Sequence, residues 1–329
     1  MTAEKAGSIA RGGAVAIGNF DGLHLGHMSL IASLTRYASR RGIPALVYTF
    51  CAHPQNVLSK SNGLKLLTSN EKKVELLSKT AVDAVYFENF TSDFAALSPE
   101  EFIGSILVGK FKIRAVAVGS GFKFGSGGSG TIETFRKYGP AGGFDVLEIP
   151  PYSTCAPPCY NGSNGVGFGA GVGVGVGVGF SACAVSSSAI RNLILRGAVD
   201  KIPPLLGRLY SIGGVAQRRA DPRYGETIPS AAIRLDPAAA IPPPGAYAAY
   251  ARAGAAQFRC KAAIIGRETG ESEAICYFPG LCDDLHGAEI EIFFSKRIER
   301  ACECDIQRFA DERSSSLQCF ALCNVNCDM

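Results

Sequence analysis

Between Ala14 and Ile149 the chain alternates short apolar runs of strand length with longer amphipathic runs, and this alternation limits the accessible folds more than any other feature. Strand-like runs at Ala14–Ile17, Ala45–Phe50, Ala84–Phe87, Ala115–Val118 and Asp145–Ile149 are separated by helix-like runs at Met28–Arg41, Ser69–Lys79, Pro99–Val108 and Thr131–Tyr138. That order predicts an α/β fold with a doubly wound parallel sheet. Ligands of such sheets sit beyond the carboxyl ends of the strands, so the first strand-to-helix junction is the place to look for chemistry.

That junction reads GNFDGLHLGH, Gly18 to His27, and it carries two of the four histidines in the chain. A helix N-terminus attracts anions through its backbone N–H groups and dipole, Gly26 leaves room for close approach, and His24 and His27 add two imidazole donors. A plain turn with surface histidines is the alternative, but strand, glycine-bounded turn and helix arrive in the order a phosphate cradle needs. Nucleotidyl transfer suits this equipment. Attack on the α-phosphorus of ATP builds negative charge on non-bridging and leaving oxygens, which fixed donors stabilise without a covalent nucleophile.

Further segments follow in a fixed order: AVAIGNFDGLHLGHMSLI (Ala14 to Ile31), VYTFCAHP (Val47 to Pro54), FTSDFAALSPEEF (Phe90 to Phe102), VAVGSGFKFGSGGSG (Val116 to Gly130), VSSSAIR (Val185 to Arg191) and LLGRLYSIGG (Leu205 to Gly214). Together they resemble the adenylyltransferase module of the bacterial bifunctional riboflavin kinase/FAD synthetase family. The resemblance implies a sheet of the H-x-G-H nucleotidyltransferase type and transfer of AMP from ATP to FMN, giving FAD and pyrophosphate with Mg²⁺ present. It assigns catalysis to His24, His27 and Arg191, and nucleotide binding to Gly18, Asn19, Phe20, Asp21, Gly26, Ser187 and Ser188. His53, Phe122 and Phe124 fall on the flavin side, where His53 is equally readable as a turn histidine. No protein ligand to a metal is assigned.

Residues 1–206 are expected to form this domain, with a Gly/Val-rich insert at 161–180 containing GVGVGVGVGF, whose glycines raise the entropy of ordering and leave little to pack. The insert lacks the lysine and hydroxyl residue of a P-loop. After it, Ser186, Ser187 and Ser188 precede a helix-like run, Ala189–Arg196, and can cap it. Two positions depart from the family: Gly121 replaces an acidic or amide residue, and Cys51 stands where aspartate is usual.

Residues 207–329 resemble a divergent riboflavin kinase module. Runs at Gly245–Tyr250, Cys260–Ile265, Ala274–Phe278 and Glu289–Phe294 suit a small antiparallel β-barrel, followed by a C-terminal helix. The kinase signature is reduced to GETIPSAAI, Gly225 to Ile233, in which Ser230 replaces threonine and Ala232 replaces asparagine. Alanine offers no oxygen to Mg²⁺. Glu273 matches the general base of that module, a solvated loop carboxylate being the alternative. Phosphorylation of riboflavin to FMN by this region stays open.

Composition narrows the remaining classes. A net charge of +4 suits phosphate ligands and falls well short of a nucleic-acid signature. No apolar run reaches spanning length, and MTAEKAGSIARGG lacks the apolar core of a signal peptide, so a cytoplasmic protein acting on small molecules is expected. The 12 cysteines are then expected to stay reduced; Cys319, Cys323 and Cys327 recur every fourth residue but lack an evident fourth metal ligand. Two readings stand beside the FAD-forming enzyme: a degenerate flavin- or nucleotide-binding protein, and a related transferase with another phosphorylated acceptor. The sequence does not specify an oligomeric state.

Overall fold

The structure is a computed structural model that describes residues 11–58, 63–154, 183–217, 230–266, 272–278 and 285–299. The Gly/Val insert, the C-terminal helix, residues 225–229 of the reduced kinase signature, and Cys319, Cys323 and Cys327 lie outside the described residues. The chain divides into two compact units, residues 1–190 with 204–207 and residues 191–203 with 208–329.

In the first unit, strands β1 (Ala14–Ile17), β2 (Ala45–Phe50), β3 (Ala84–Glu88), β4 (Ala115–Gly119) and β5 (Asp145–Ile149) form one parallel sheet in the order β3-β2-β1-β4-β5. This is the doubly wound sheet read from the alternation. The order reverses direction at β1, which places the end of β1 at the topological switch point.

The two faces of the sheet are built from different residues. Ala14, Ala16, Ala45, Ala115 and Ala117 line one face, and Leu30, Ile31, Leu34 and Ala38 of helix α1 (Leu25–Arg41) pack over them. Small side chains let the helix approach the sheet closely, and this fixes where its N-terminus stands relative to β1. On the opposite face Val15, Ile17, Tyr48 and Val116 meet an aromatic cluster that includes Phe102, Phe111 and Phe135. Both faces are buried, as a parallel sheet requires.

The remaining helices differ from the sequence reading mainly at their ends. α2 (Pro54–Leu58) was not expected; α3 (Asn70–Ser78) starts after Ser69, whose hydroxyl accepts from Lys72 N–H at 3.2 Å. α4 (Ser92–Ala96) is a further short helix, and α5 (Pro99–Glu101) opens on a capping box formed by Ser98 and Glu101. It continues as a π-helix over Phe102–Lys110, closed by a bond from Phe111 N–H to the Ile106 carbonyl at 3.1 Å. α6 (Ile132–Gly142) outruns its predicted end by a turn.

A two-stranded ribbon, β6 (Ser153–Thr154) with β7 (Cys183–Ala184), precedes α7 (Ser187–Leu195). Beyond it, β8 (Tyr210–Gln217), β9 (Ser230–Leu235), β10 (Gly245–Ala253), β11 (Ala256–Gly266), β12 (Ser272–Tyr277) and β13 (Glu289–Glu299) close a six-stranded antiparallel barrel in the order β10-β11-β12-β9-β8-β13. Pairing of β13 with β10 completes the ring, so no strand edge is left open. Alternate residues such as Tyr210, Ile212, Ile233, Tyr247, Ile292 and Phe294 fill its interior. No helix among the described residues is long and apolar enough to cross a membrane.

Candidate active site

The loop from Gly18 to His24 leaves β1 and is held in a costly backbone shape. Phe20 and Leu23 both adopt positive φ, 47° and 41°, a region that non-glycine residues rarely enter. Gly22 has φ of 84°, and a Cβ there would stand 2.7 Å from Leu67 Cδ1, so only glycine fits. What holds the shape is Asp21, almost fully buried, whose carboxylate accepts from the backbone N–H groups of Leu67 at 2.9 Å and Thr68 at 3.1 Å. The Thr68 hydroxyl in turn accepts from Gly22 N–H at 3.0 Å. Asp21, expected to bind nucleotide, is therefore committed to pinning the loop. Phe20 is likewise corrected to a core residue, fully buried, with its ring edge 5.3 Å from His27.

His24 is the N-cap of α1. Its Nδ1 accepts from His27 N–H at 3.3 Å, the task usually given to Ser, Thr, Asp or Asn. Accepting at Nδ1 places the ring proton on Nε2. The His24 and His27 rings stack with centroids 3.7 Å apart and 14° between planes. The pair is thus one preorganised unit at the carboxyl end of β1, and the N–H groups of Leu25 and Gly26 have no protein acceptor among the described residues. Gly26 serves a different purpose from the one expected. A Cβ there would press on His24 Cε1 and Nδ1 at 3.1 Å, so its first effect would be to displace the imidazole.

His27 Nδ1 is a buried nitrogen without a partner among the described residues. Burial, then the neighbouring His24, then Lys73 all push its pKa well below the ordinary histidine value. The ring is neutral at pH 7. A neutral imidazole here can donate to phosphate without first carrying charge into a desolvated site.

Beside the histidine loop lies a small open cleft, lined by Asn19, Asp21, Cys51, His53, Thr68 and Lys73 among others. His53 Nδ1 accepts from Gln55 N–H at 3.3 Å, and its Nε2 stands 3.3 Å from Asn19 Nδ2, so it bridges the turn after β2 to the loop after β1. Cys51 is an exposed free thiol. Lys73, on α3, was not singled out from the sequence, although it occupies the apolar face of that helix four residues before buried Leu77, where a charge is out of place. Its ammonium donates to Thr49 Oγ1 at 3.5 Å, and Thr49 itself donates to the Asn19 carbonyl at 3.2 Å.

Ser187 Oγ, at the start of α7, donates to the Asp21 carbonyl of the histidine loop at 2.8 Å. The helix cap is Ser186, accepting from Ala189 N–H at 3.2 Å, so capping falls to one serine and not three. Ser188 is exposed; Arg191 lies four residues beyond Ser187 on the same helix face and is buried. Gly18 donates its N–H to the Tyr48 carbonyl at 3.2 Å. A Cβ at Gly121 would meet nothing within 4 Å. Phe124 is corrected from the flavin side to the core, where its ring stacks on Phe135 at 4.2 Å, while Phe122 is only partly buried and stacks on Phe124 at 6.0 Å.

In the barrel, Ser230 stands opposite Tyr277 in the ladder, and Glu273 stands opposite Arg234. Glu273 is therefore a strand residue, on β12, and not a loop carboxylate. Buried Ala232 faces Ile275 and supplies no oxygen.

Known proteins resemble this chain in sequence and in fold. Residues 7–156 match the family model described as FAD synthetase. The chain is 31% identical over 237 residues to the bifunctional riboflavin kinase/FMN adenylyltransferase of Listeria monocytogenes, 71% of this chain and 66% of the relative. It is 31% identical over 240 residues to the protein of that name in Bacillus subtilis, 72% and 66%, and 30% identical over 201 residues to that of Buchnera aphidicola subsp. Schizaphis graminum, 61% and 56%. The chain thus spans between 56% and 66% of the length of these relatives. A solved structure of a macrolide-efflux protein from Streptococcus pneumoniae superposes with a TM-score of 0.73 over 91% of both chains at 21% identity, a likeness of fold alone. Residues 7–156 thus carry the likeness to the FAD synthetase family that the motifs imply.

Proposed function

We propose that this chain is an FMN adenylyltransferase. A phosphate oxygen of FMN attacks the α-phosphorus of ATP, the new P–O bond forms as the bond to the β,γ-diphosphate breaks, and FAD and pyrophosphate leave. The observation that carries this reading is the stacked His24–His27 pair at the N-terminus of α1, at the switch point of the sheet. Its N–H donors and the amides of Leu25 and Gly26 offer a fixed positive end to the charge that develops around the α-phosphorus. Ser187, Ser188 and Arg191 share one helix and are assigned to the remaining ATP phosphates, for which the planar guanidinium is well shaped. Asn19 and His53 shape the acceptor side.

Magnesium is not matched by a protein cage. No group of three or more His, Cys, Asp or Glu side chains converges among the described residues, and the Asp21 oxygens already accept backbone N–H groups. The cation belongs with the triphosphate, and no step here depends on a protein ligand to it.

The names of the relatives bring a second reading, phosphorylation of riboflavin by the barrel, against which buried Ala232 stands. Both are tested by one product analysis. Purified protein with ATP and Mg²⁺ is given FMN in one reaction and riboflavin in another, and products are separated by chromatography. FAD and pyrophosphate from FMN are expected. Folded protein that makes neither would overturn the first reading, and FMN appearing from riboflavin would establish the second.

A further inference from the structure

Lys73 is a cation that the fold of the first unit has no internal use for. It is only 6% exposed, and its one polar contact is the long donation to Thr49 Oγ1 at 3.5 Å. Among the described residues no carboxylate lies within ion-pair distance of its ammonium. The nearest acidic groups felt by it are Asp21, whose oxygens are already held by Leu67 and Thr68, and the Cys51 thiol. A Phe87 ring 5.7 Å away offers a weak cation–π contact. Burying an ammonium so poorly matched costs stability, and an apolar residue at this helical position would pack with Leu77 at no such cost. The ammonium nevertheless lines the cleft beside Asn19, Cys51 and His53.

We propose that Lys73 receives the phosphate of the acceptor flavin and holds it as the attacking group. The proposal rests on the adenylyltransferase reading given above. A compact ammonium with three donors suits a phosphate dianion, which carries close to two negative charges at neutral pH. The site also lies where the nucleophile must be. The cleft that the ammonium lines is also lined by Asn19 and Asp21 of the histidine loop, so an anion bound at Lys73 lies beside that loop. Riboflavin, which lacks the phosphate, would gain nothing from this residue.

The test uses Cys51 as a reporter confined to the cleft, since flavin bound elsewhere leaves its alkylation unchanged. Rates of iodoacetamide modification of Cys51 are followed by mass spectrometry against increasing FMN or riboflavin, in wild-type protein, Lys73→Met and Lys73→Arg, each checked for a melting temperature no lower than wild type. FMN is expected to protect wild-type Cys51 at lower concentration than riboflavin does. In Lys73→Met the FMN concentration needed should rise about 10- to 100-fold, as for loss of a charge-assisted hydrogen bond, with riboflavin protection unmoved and Lys73→Arg recovering part of the loss. Equal FMN protection in wild type and Lys73→Met would overturn the proposal. So would a parallel loss for both flavins, the mark of a packing role, or a wild-type protein whose Cys51 ignores FMN while FAD still forms. Absence of FAD together with absence of FMN protection would instead remove the adenylyltransferase reading and this proposal with it.

Discussion

The histidine loop of the parallel-sheet unit and the wall of the barrel use polar residues in opposite ways. In and beside the loop, Asp21 is turned inward onto backbone amides, Phe20 and Leu23 are held at positive φ, two imidazoles stack at the helix N-terminus, and a buried ammonium makes only a long bond to Thr49. In the barrel wall, Arg252 of β10 and Glu291 of β13 form an ion pair across neighbouring strands. One region buries the Lys73 ammonium with no carboxylate at ion-pair distance among the described residues, at the expense of stability, and the other pairs Arg252 with Glu291. Strain and desolvation therefore mark a site for a ligand, while mutual pairing marks a scaffold.

The comparison breaks most sharply at His27. His27→Ala should lower the rate of FAD formation by about two to three orders of magnitude, the usual cost of one fixed donor at developing charge, with little change in melting temperature. Steady-state assay beside thermal unfolding checks this, and a variant that keeps wild-type turnover would show that the stacked pair is only a helix cap.

Asp21 comes next in size. Asp21→Ala removes the acceptor for Leu67 and Thr68 N–H and leaves those buried donors unpaired, so a loss of about 2–3 kcal/mol in urea unfolding is expected, with Asp21→Asn losing less. Activity should fall with it because the loop loses its shape. If stability holds and only nucleotide affinity falls, Asp21 is a ligand and not a brace.

The pH dependence of stability sharpens the same contrast. Burial and its neighbours hold His27 below the ordinary value of about 6.5, so the unfolded chain takes up a proton near that pH while the folded chain does not. Stability contributed by the neutral ring is complete above about pH 6.5 and declines as pH falls, by up to roughly 1.4 kcal/mol per unit for one proton, until the folded ring also titrates. Urea unfolding at pH 7, 6 and 5 should show a slope that His27→Ala reduces by about one proton. An equal slope in both proteins would move the titration to another group.

The sequence made the sheet legible because period and order survive locally: β1, β2 and β5 have the predicted ends, and the histidine motif names its own position after β1. It concealed whatever depends on distant partners. Asp21 answers amides 46 and 47 residues away, and Lys73 meets Thr49 across 24 residues, so neither role has a local pattern. His24 hid as a cap because imidazole is an unusual N-cap acceptor. Phe124 read as a ligand contact because an aromatic residue in a glycine-rich loop looks exposed, whereas the π-helix and α6 enclose it. β8 was hidden by Gly213 and Gly214, which interrupt its apolar run.

The smallest effect belongs to the barrel. Arg252 and Glu291 stand opposite each other on β10 and β13, Glu291 also accepts from Ser211 Oγ at 2.6 Å, and the Arg252 guanidinium lies 5.4 Å from the centre of the Phe293 ring. The arginine side chain is 36% exposed, so solvent screens the pair and Ser211 still serves the carboxylate when the arginine is gone. Arg252→Ala should therefore lower stability by only about 0.5–1 kcal/mol, less at high salt, and leave FAD formation within about twofold of wild type. Unfolding curves at low and high ionic strength check it. A salt-insensitive loss of about 3 kcal/mol or more would place this pair in a buried network, and the barrel would then share the costly charge burial that otherwise distinguishes the cleft around Lys73.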